Sequence, residues 1–317
     1  MTATFRKVTV TSLRRRALPK VDPSADKDGR GQVLVIGGGI ETPGAVFLSA
    51  IAALRTGAGK LAIAVPESIA LPLALRIPEA RVIPLPPSKS GSFGPAALRK
   101  VEPLLSSVSA LLLGPGLPQD SKSVALAKTL LGSATETPTI LDAGALRALW
   151  GRRLRDQPVI ITPHAGEMAD LLKATKEEVQ ADPRGATEAA AGRWQVTVAL
   201  KGGTTYIRDA AEGRLYFEGN APGLATSGSG DVLSGIIAGF LARGLGVGAA
   251  TIWSVVTHSM SGALMQKRFG RIGYLASDIL PVIPLVIAAL SAPGKKRPVA
   301  KKLSHGRSDA RKAALVA

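Results

Sequence analysis

The chain has 317 residues, 46% apolar and 20% charged, enough for one large α/β domain or two small ones. It contains no cysteine, which excludes a disulfide framework, a thiolate zinc site, an iron–sulfur cluster and a cysteine nucleophile. The net charge of +17 sits mostly at the ends, with residues 1–30 contributing +5 and residues 295–317 contributing +7.

In chain order, residues 1–30 read as a basic extension, and no apolar run follows Arg14-Arg15-Arg16, so a secretory signal is not expected. Val33–Ile36 is a buried-strand run ending in Gly37-Gly38-Gly39. Helical spacing follows from about Ala45 to Arg55, closed by Thr56-Gly57-Ala58-Gly59. Lys60–Val65 is a second strand, stopped by Pro66. Leu111–Leu113 enters Gly114-Pro115-Gly116, and Thr139–Leu141 enters Asp142-Ala143-Gly144. Val159–Ile161 enters Thr162-Pro163-His164, and Val196–Leu200 enters Lys201-Gly202-Gly203. Thr204–Ile207 and Arg214–Phe217 read as an antiparallel hairpin, and from Gly230 to about Leu290 the pattern is mainly helical. Ile279–Leu290 is the longest apolar run; it holds two prolines and is too short to span a bilayer.

The strand runs are continuously apolar, which suits parallel strands covered on both faces. The expectation is an α/β three-layer sandwich, a mainly parallel central sheet flanked by helices, as one domain over 31–294 with a basic N-terminal extension (1–30) and a tail (295–317). The tail from Lys295 to Lys312 carries no aromatic residue and reads as solvated and disordered rather than as a nucleic-acid-binding face. The protein is expected to be soluble and cytoplasmic, with no membrane or specific nucleic-acid partner. In open α/β sheets ligands bind beyond the carboxyl ends of the strands, so the strand-end turns are where chemistry is sought.

The most specific segment runs from Asn220 to Gly244, a glycine-rich turn entering a helix near Asp231. Gly228, Ser229 and Gly230 can converge backbone N–H groups at the positive end of a helix dipole, an anion hole for a phosphate. Asp231 stands at its rim, placed to take a proton from an attacking hydroxyl. Helix capping would explain one Ser or Asp here, but not the surrounding glycines and the small-residue helix behind them.

This segment resembles the anion-hole motif of the ribokinase-like superfamily, and P-G-L-A-T-x-G-S-G-D-V-L resembles in particular the ADP-dependent NAD(P)H-hydrate dehydratases. Other motifs agree: R-G-x-V-L-V-I-G-G-G at 30–39, P-G-A at 43–45, A-A-L-R-T-G-A-G at 52–59, G-P-G at 114–116, I-T-P-H-A-G-E at 161–167, A-L-K-G-G-T-T at 199–205 and A-S-D at 276–278. The resemblance implies a ribokinase-like fold and repair of hydrated nicotinamide cofactors. The S-form of hydrated NADH or NADPH would be phosphorylated at the expense of ADP, and phosphate then eliminated to leave NAD(P)H and AMP. It further implies magnesium, a homo-oligomer (a tetramer) and a separate epimerase acting in the same pathway.

Residue by residue, the resemblance assigns Ala45, Gly116, His164 and Asp231 to the hydrate. It assigns Lys201, Gly202, Gly203, Thr204, Thr205 and Gly230 to the nucleotide. Lysine, threonine hydroxyls and backbone N–H groups suit phosphate, although glycines also favour an ordinary hairpin entry. Glu167 has two readings, a first-turn acid stabilising its own helix or a residue acting through water on a metal ion, with the structural role favoured. No metal ligand is assigned. The glycine run at 37–39 lacks G-x-G-x-x-G spacing, and no acidic residue closes the next strand, so a dinucleotide-binding signature is rejected. Three positions depart from the family pattern: Gly144 where many members carry a second aspartate, Thr42 where an aromatic is frequent, and Ser227 for glycine. Small residues along Thr251–Gln266 suit close helix packing, internal or between subunits. The alternatives are a ribokinase-like kinase of a vitamin precursor and a non-catalytic nucleotide-binding protein.

Overall fold

The structure, a computed structural model, describes residues 4–20, 24, 26–86, 93 and 95–292. Among them one sheet carries β1 (Arg6–Lys7), β2 (Gln32–Ile36), β3 (Lys60–Pro66), β4 (Arg81–Leu85), β5 (Ala110–Leu113), β6 (Thr139–Leu141), β7 (Val159–Ile161), β8 (Thr197–Leu200), β9 (Thr204–Asp209) and β10 (Gly213–Glu218). The spatial order is β1-β10-β9-β8-β7-β6-β5-β2-β3-β4. From β4 to β8 every neighbouring pair is parallel, and β9 runs antiparallel to both β8 and β10.

The apolar runs are continuous because each strand feeds two cores. Val33 and Val35 of β2 pack into one, Leu34 and Ile36 into the other. The first core is closed by the helices Pro43–Thr56, Ser229–Ala242, Val247–Phe269 and Ile283–Ser291, and the second by Ser121–Ser133, Ala165–Leu172 and Pro183–Trp194. The helix over Val247–Phe269 is longer than the sequence pattern indicates, and its small residues pack inward. Ser254 and Ser261 are fully buried, and a Cβ at Gly262 would meet the Leu224 side chain. No helix among the described residues is long and apolar enough to cross a membrane.

Two strands escape the sequence reading. β4 reads R-V-I-P-L, and Pro84 with its flanking arginine disguises it; at the sheet edge the missing N–H of proline is tolerated. β1 is two residues long and pairs in parallel with β10. It belongs to the basic stretch expected to stand outside the domain, and here the structure corrects that boundary. Phe5, Val8 and Leu13 are buried, the Phe5 ring meets Tyr206 edge-on at 5.6 Å, and Trp253 Nε1 donates to the Arg16 carbonyl at 2.7 Å. A reciprocal Thr9–Ser12 capping box starts the short helix Val10–Arg14, whose Leu13 fills the first core. The physical reason is that Phe5, Val8 and Leu13 stand among the cations and dock, while Arg14 donates to the Leu290 carbonyl and Arg16 pairs with Glu212. The tail expected at 295–317 lies outside the described residues.

Candidate active site

Parallel strands of one sense deliver their carboxyl ends to one edge, so the turns after β2, β5, β6, β7 and β8 meet there. The glycines at these turns let backbones touch. A Cβ at Gly37 would overlap the Pro115 carbonyl, and one at Gly114 (φ +122°) would overlap the Asp142 carbonyl. The Gly37–Gly39 run is thus a close-packing device between two strand ends. Gly116 (φ +64°) lies beside Ala45, where an added Cβ would come within 3.1 Å of the Ala45 methyl. Thr42 Oγ1 donates to the Gly116 carbonyl at 3.1 Å.

Beyond β6, β7 and β8 an electrostatic cluster is assembled. Asp142, almost fully buried after β6, accepts from Lys201 Nζ at 3.0 Å and from Thr162 Oγ1 at 2.8 Å, both on Oδ1. Glu167 Oε2 stands 3.8 Å from the same Lys201 Nζ. Burial opposes the Lys201 charge, but Asp142 and Glu167, with Asp231 behind them, more than compensate and hold its pKa above the ordinary value. Lys201 is therefore a cation fixed at the end of β8. His164 is tied to it through backbone pairing, with the Lys201 amide donating to the Pro163 carbonyl at 2.8 Å.

His164 caps the helix Ala165–Leu172. Its Nδ1 accepts from the amides of Gly166 and Glu167, both at 3.1 Å, while Glu167 Oε2 accepts from the His164 amide at 2.8 Å. The structural reading of Glu167 is the one seen: it completes the capping box, and its charge also acts on Lys201 and Asp231.

The helix Ser229–Ala242 begins at Gly228, whose φ of +85° turns the chain so that the helix start faces the strand ends. No side chain caps it; the Ser229 amide donates to the Thr226 carbonyl at 3.3 Å, and the Gly230 amide, next to Lys201 Nζ, is the one placed to meet an anion. Asp231, in the first turn, has its pKa pushed up to about 7. Burial is the first cause and the Asp142 charge the second, Lys201 pulls it back, and Glu167 adds to the rise. A carboxylate so poised can take and return a proton near neutrality. Ser229 Oγ is joined to His258 Nε2 at 3.0 Å.

These elements open onto a cavity of about 810 Å³. His164, Lys201, Gly202, Gly203, Thr205, Ser229 and Gly230 line it, and Lys201 approaches Gly230 so closely that a Cβ there would lie 3.1 Å from Nζ. Most of the residues assigned to a nucleotide are thus brought to one wall. Thr204 and Gly228 stand next to lining residues without lining the cavity themselves. Ala45 and Gly116 form a separate contact at the ends of the β2 and β5 turns. Asp231 follows the lining residue Gly230 without lining the cavity itself, and it is coupled through charge to Lys201 and Asp142. The sequence reading missed His258 and the role of Asp142 as partner of Lys201, together with the distal walls Phe217, Gln266 and Arg271. The signal for His258 was a lone imidazole in the small-residue run S-V-V-T-H-S-M-S-G.

Gly144, where the resemblance leads one to expect an acid, is packed against the Leu117 carbonyl, which a Cβ would overlap. Among the described residues no group of three or more metal-ligating side chains comes together. The two acidic oxygens facing Lys201, Asp142 Oδ1 and Glu167 Oε2, are already engaged, so they offer no preformed protein site for magnesium.

A three-layer α/β sandwich with a helix N-terminus, a buried lysine and a near-neutral aspartate at its strand ends is a ribokinase-like domain built to handle a phosphoryl group. More narrowly, residues 33–285 match the family model for NAD(P)H-hydrate dehydratase, and the chain belongs to that family. It is 40% identical over 286 residues, 89% of this chain and 96% of the relative, to the ADP-dependent (S)-NAD(P)H-hydrate dehydratase of Xanthomonas campestris. The bifunctional NAD(P)H-hydrate repair enzyme Nnr of Moorella thermoacetica is 37% identical over 87% of this chain; the chain spans 53% of that relative's length. The ADP/ATP-dependent NAD(P)H-hydrate dehydratase of Bacillus subtilis, co-crystallised with ATP and magnesium, superposes with a TM-score of 0.77 at 27% identity, covering 92% of this chain and 99% of the other.

Proposed function

We propose that this protein dehydrates the S-form of hydrated NADH or NADPH at the expense of ADP, with Asp231 as the base. The observation that carries the assignment is the approach of the Lys201 cation to Gly230 at the start of the helix that bears Asp231, whose carboxyl burial raises to about 7. Hydroxide leaves carbon poorly and phosphate leaves well, so the hydrate's hydroxyl is converted before it departs. Asp231 accepts the hydroxyl proton as the oxygen attacks the terminal phosphorus of ADP, and AMP leaves with the bond's electron pair. Lys201 and the amide at Gly230, beside which its Nζ packs, hold the charge that builds on the phosphoryl oxygens. Loss of a proton from the neighbouring ring carbon then expels phosphate and restores the ring double bond.

In this reading Gly202, Gly203, Thr204 and Thr205 hold the nucleotide, and His164, Ala45 and Gly116 border the hydrate. Bound together with the nucleotide beside Lys201 and Gly230, magnesium would supply neutralisation of phosphate charge. A separate epimerase would supply the S-form, and the reading carries a cytoplasmic homotetramer with it. Leu71 and Leu75, one turn apart and exposed on the helix Glu67–Arg76, offer an apolar face for an assembled state, which sedimentation would measure.

The test is to incubate the protein with hydrated NADH, ADP and magnesium while following the absorbance of the reduced nicotinamide. Recovery of NADH with one AMP and one phosphate per turnover is expected. No recovery with either ADP or ATP would overturn the assignment; nucleotide-dependent phosphorylation of a hydroxymethyl substrate instead would make the protein a kinase.

A further inference from the structure

The helix start that faces the nucleotide cavity leans on a second helix through one polar contact. His258, in the middle of Val247–Phe269, meets Ser229 Oγ with Nε2 at 3.0 Å, and both residues line the cavity. Ser229 itself is buried. It is the first residue of the uncapped helix and directly precedes Gly230, the residue against which Lys201 Nζ packs. A serine hydroxyl at a helix start usually has several uses for its proton, including nearby carbonyls. We propose that His258 is a positioning residue for the phosphoryl-transfer step: its Nε2–H donates to Ser229 Oγ and so directs the serine hydroxyl proton into the cavity, toward a phosphoryl oxygen held beside Lys201 and Gly230.

Two further observations agree with this arrangement. Burial drives the imidazole pKa down to about 4, the Ser229 backbone pulls it up, and the Lys201 charge pushes it down further. The ring is then neutral at working pH, so it carries one proton and can donate from only one of its nitrogens. A neutral ring that instead accepted from Ser229 would turn serine lone pairs toward an anion, the wrong polarity for a site built from Lys201 and a helix N-terminus. His258 does not touch the reacting atoms in this scheme; it acts through Ser229.

The inference rests on the proposed dehydratase reaction, and the same assay separates the two. Absence of NADH recovery by the wild type sinks the reaction, whereas wild-type turnover indifferent to His258 sinks the positioning role. In H258L, whose side chain offers no donor, kcat should fall by about 10- to 100-fold, with the KM for ADP and the AMP Kd within about twofold of wild type. In H258Q the terminal amide can reach the Nε2 position, and kcat should return to within about fivefold of wild type. S229A should lose as much as H258L, and the double variant should be no worse than either alone, because both remove the same directed proton. Thermal melts accompany each variant; if H258L does not fold, H258Q and S229A alone carry the test. Wild-type kcat in S229A, a folded H258Q as impaired as S229A, or losses that multiply in the double variant would overturn the proposal.

Discussion

Replacing Asp231 by asparagine should make the protein more stable and nearly inactive. The carboxyl is raised from its ordinary value of 3.8 to about 7, by burial first, then by Asp142 and Glu167 against the opposing pull of Lys201. Below pH 3.8 it is protonated folded and unfolded alike, and the shift has no effect on stability. Between 3.8 and 7 the unfolded chain ionises while the folded one does not, so stability falls as pH rises; above 7 the cost is complete. About three pH units at about 1.4 kcal/mol each set a ceiling of roughly 4 kcal/mol. Asp231 is only partly buried, and solvent screening brings the expected effect to the order of 1–2 kcal/mol. D231N should therefore melt a few degrees higher than wild type at pH 8, on the order of 3 °C, with the gain shrinking as pH drops toward 4. Turnover should fall by roughly 10²- to 10⁴-fold, the usual worth of a positioned base, while AMP binding persists. Scanning calorimetry at pH 5 and pH 8, paired with NADH recovery, reads both effects. An asparagine variant that melts lower than wild type at pH 8 would refute the electrostatic account, and one that still turned over would refute the base.

Three further outcomes follow from the same geometry. In D142N the loss of a neighbouring anion should lower the Asp231 pKa, so the acid limb of the kcat/KM profile moves to lower pH; an unmoved limb would mean that Asp142 does not act on Asp231. Restoring the family's frequent acid with G144D forces a Cβ into the Leu117 carbonyl and should cost about 1–3 kcal/mol, seen as a lower denaturant midpoint, whereas an unchanged midpoint would show that the two turns can part. Leu13→Ala should destabilise the whole domain by about 2–5 kcal/mol in a single cooperative transition, because Leu13 is fully buried in the first core; a negligible change would return residues 4–16 to the status of an appendage.

What could be read from the sequence follows from what is local. The strand runs beginning at Val33, Lys60, Leu111, Thr139 and Val159 announce themselves because both faces of a parallel strand are covered, and the turns after them stand out because glycine and proline tolerate backbone contact that other residues do not. The start of the helix at Ser229 is equally legible, since a glycine-flanked Ser-Gly-Asp entering an apolar helix has few other uses. Strand β4 was hidden because an edge position admits the proline that argues against a strand, and the docking of Phe5 and Leu13 was hidden among arginines. The pairings that make the site chemical were beyond any local signal. Asp142 meets Lys201 across 59 residues and His258 meets Ser229 across 29, each because separate elements converge on one end of the sheet. The sequence by itself determined where glycine-rich turns end the strands and start the helix at Ser229. Only the tertiary structure decided how the site is charged, because the burial and neighbouring anions that lift Asp231 to about 7 exist only once β6, β7 and β8 lie side by side.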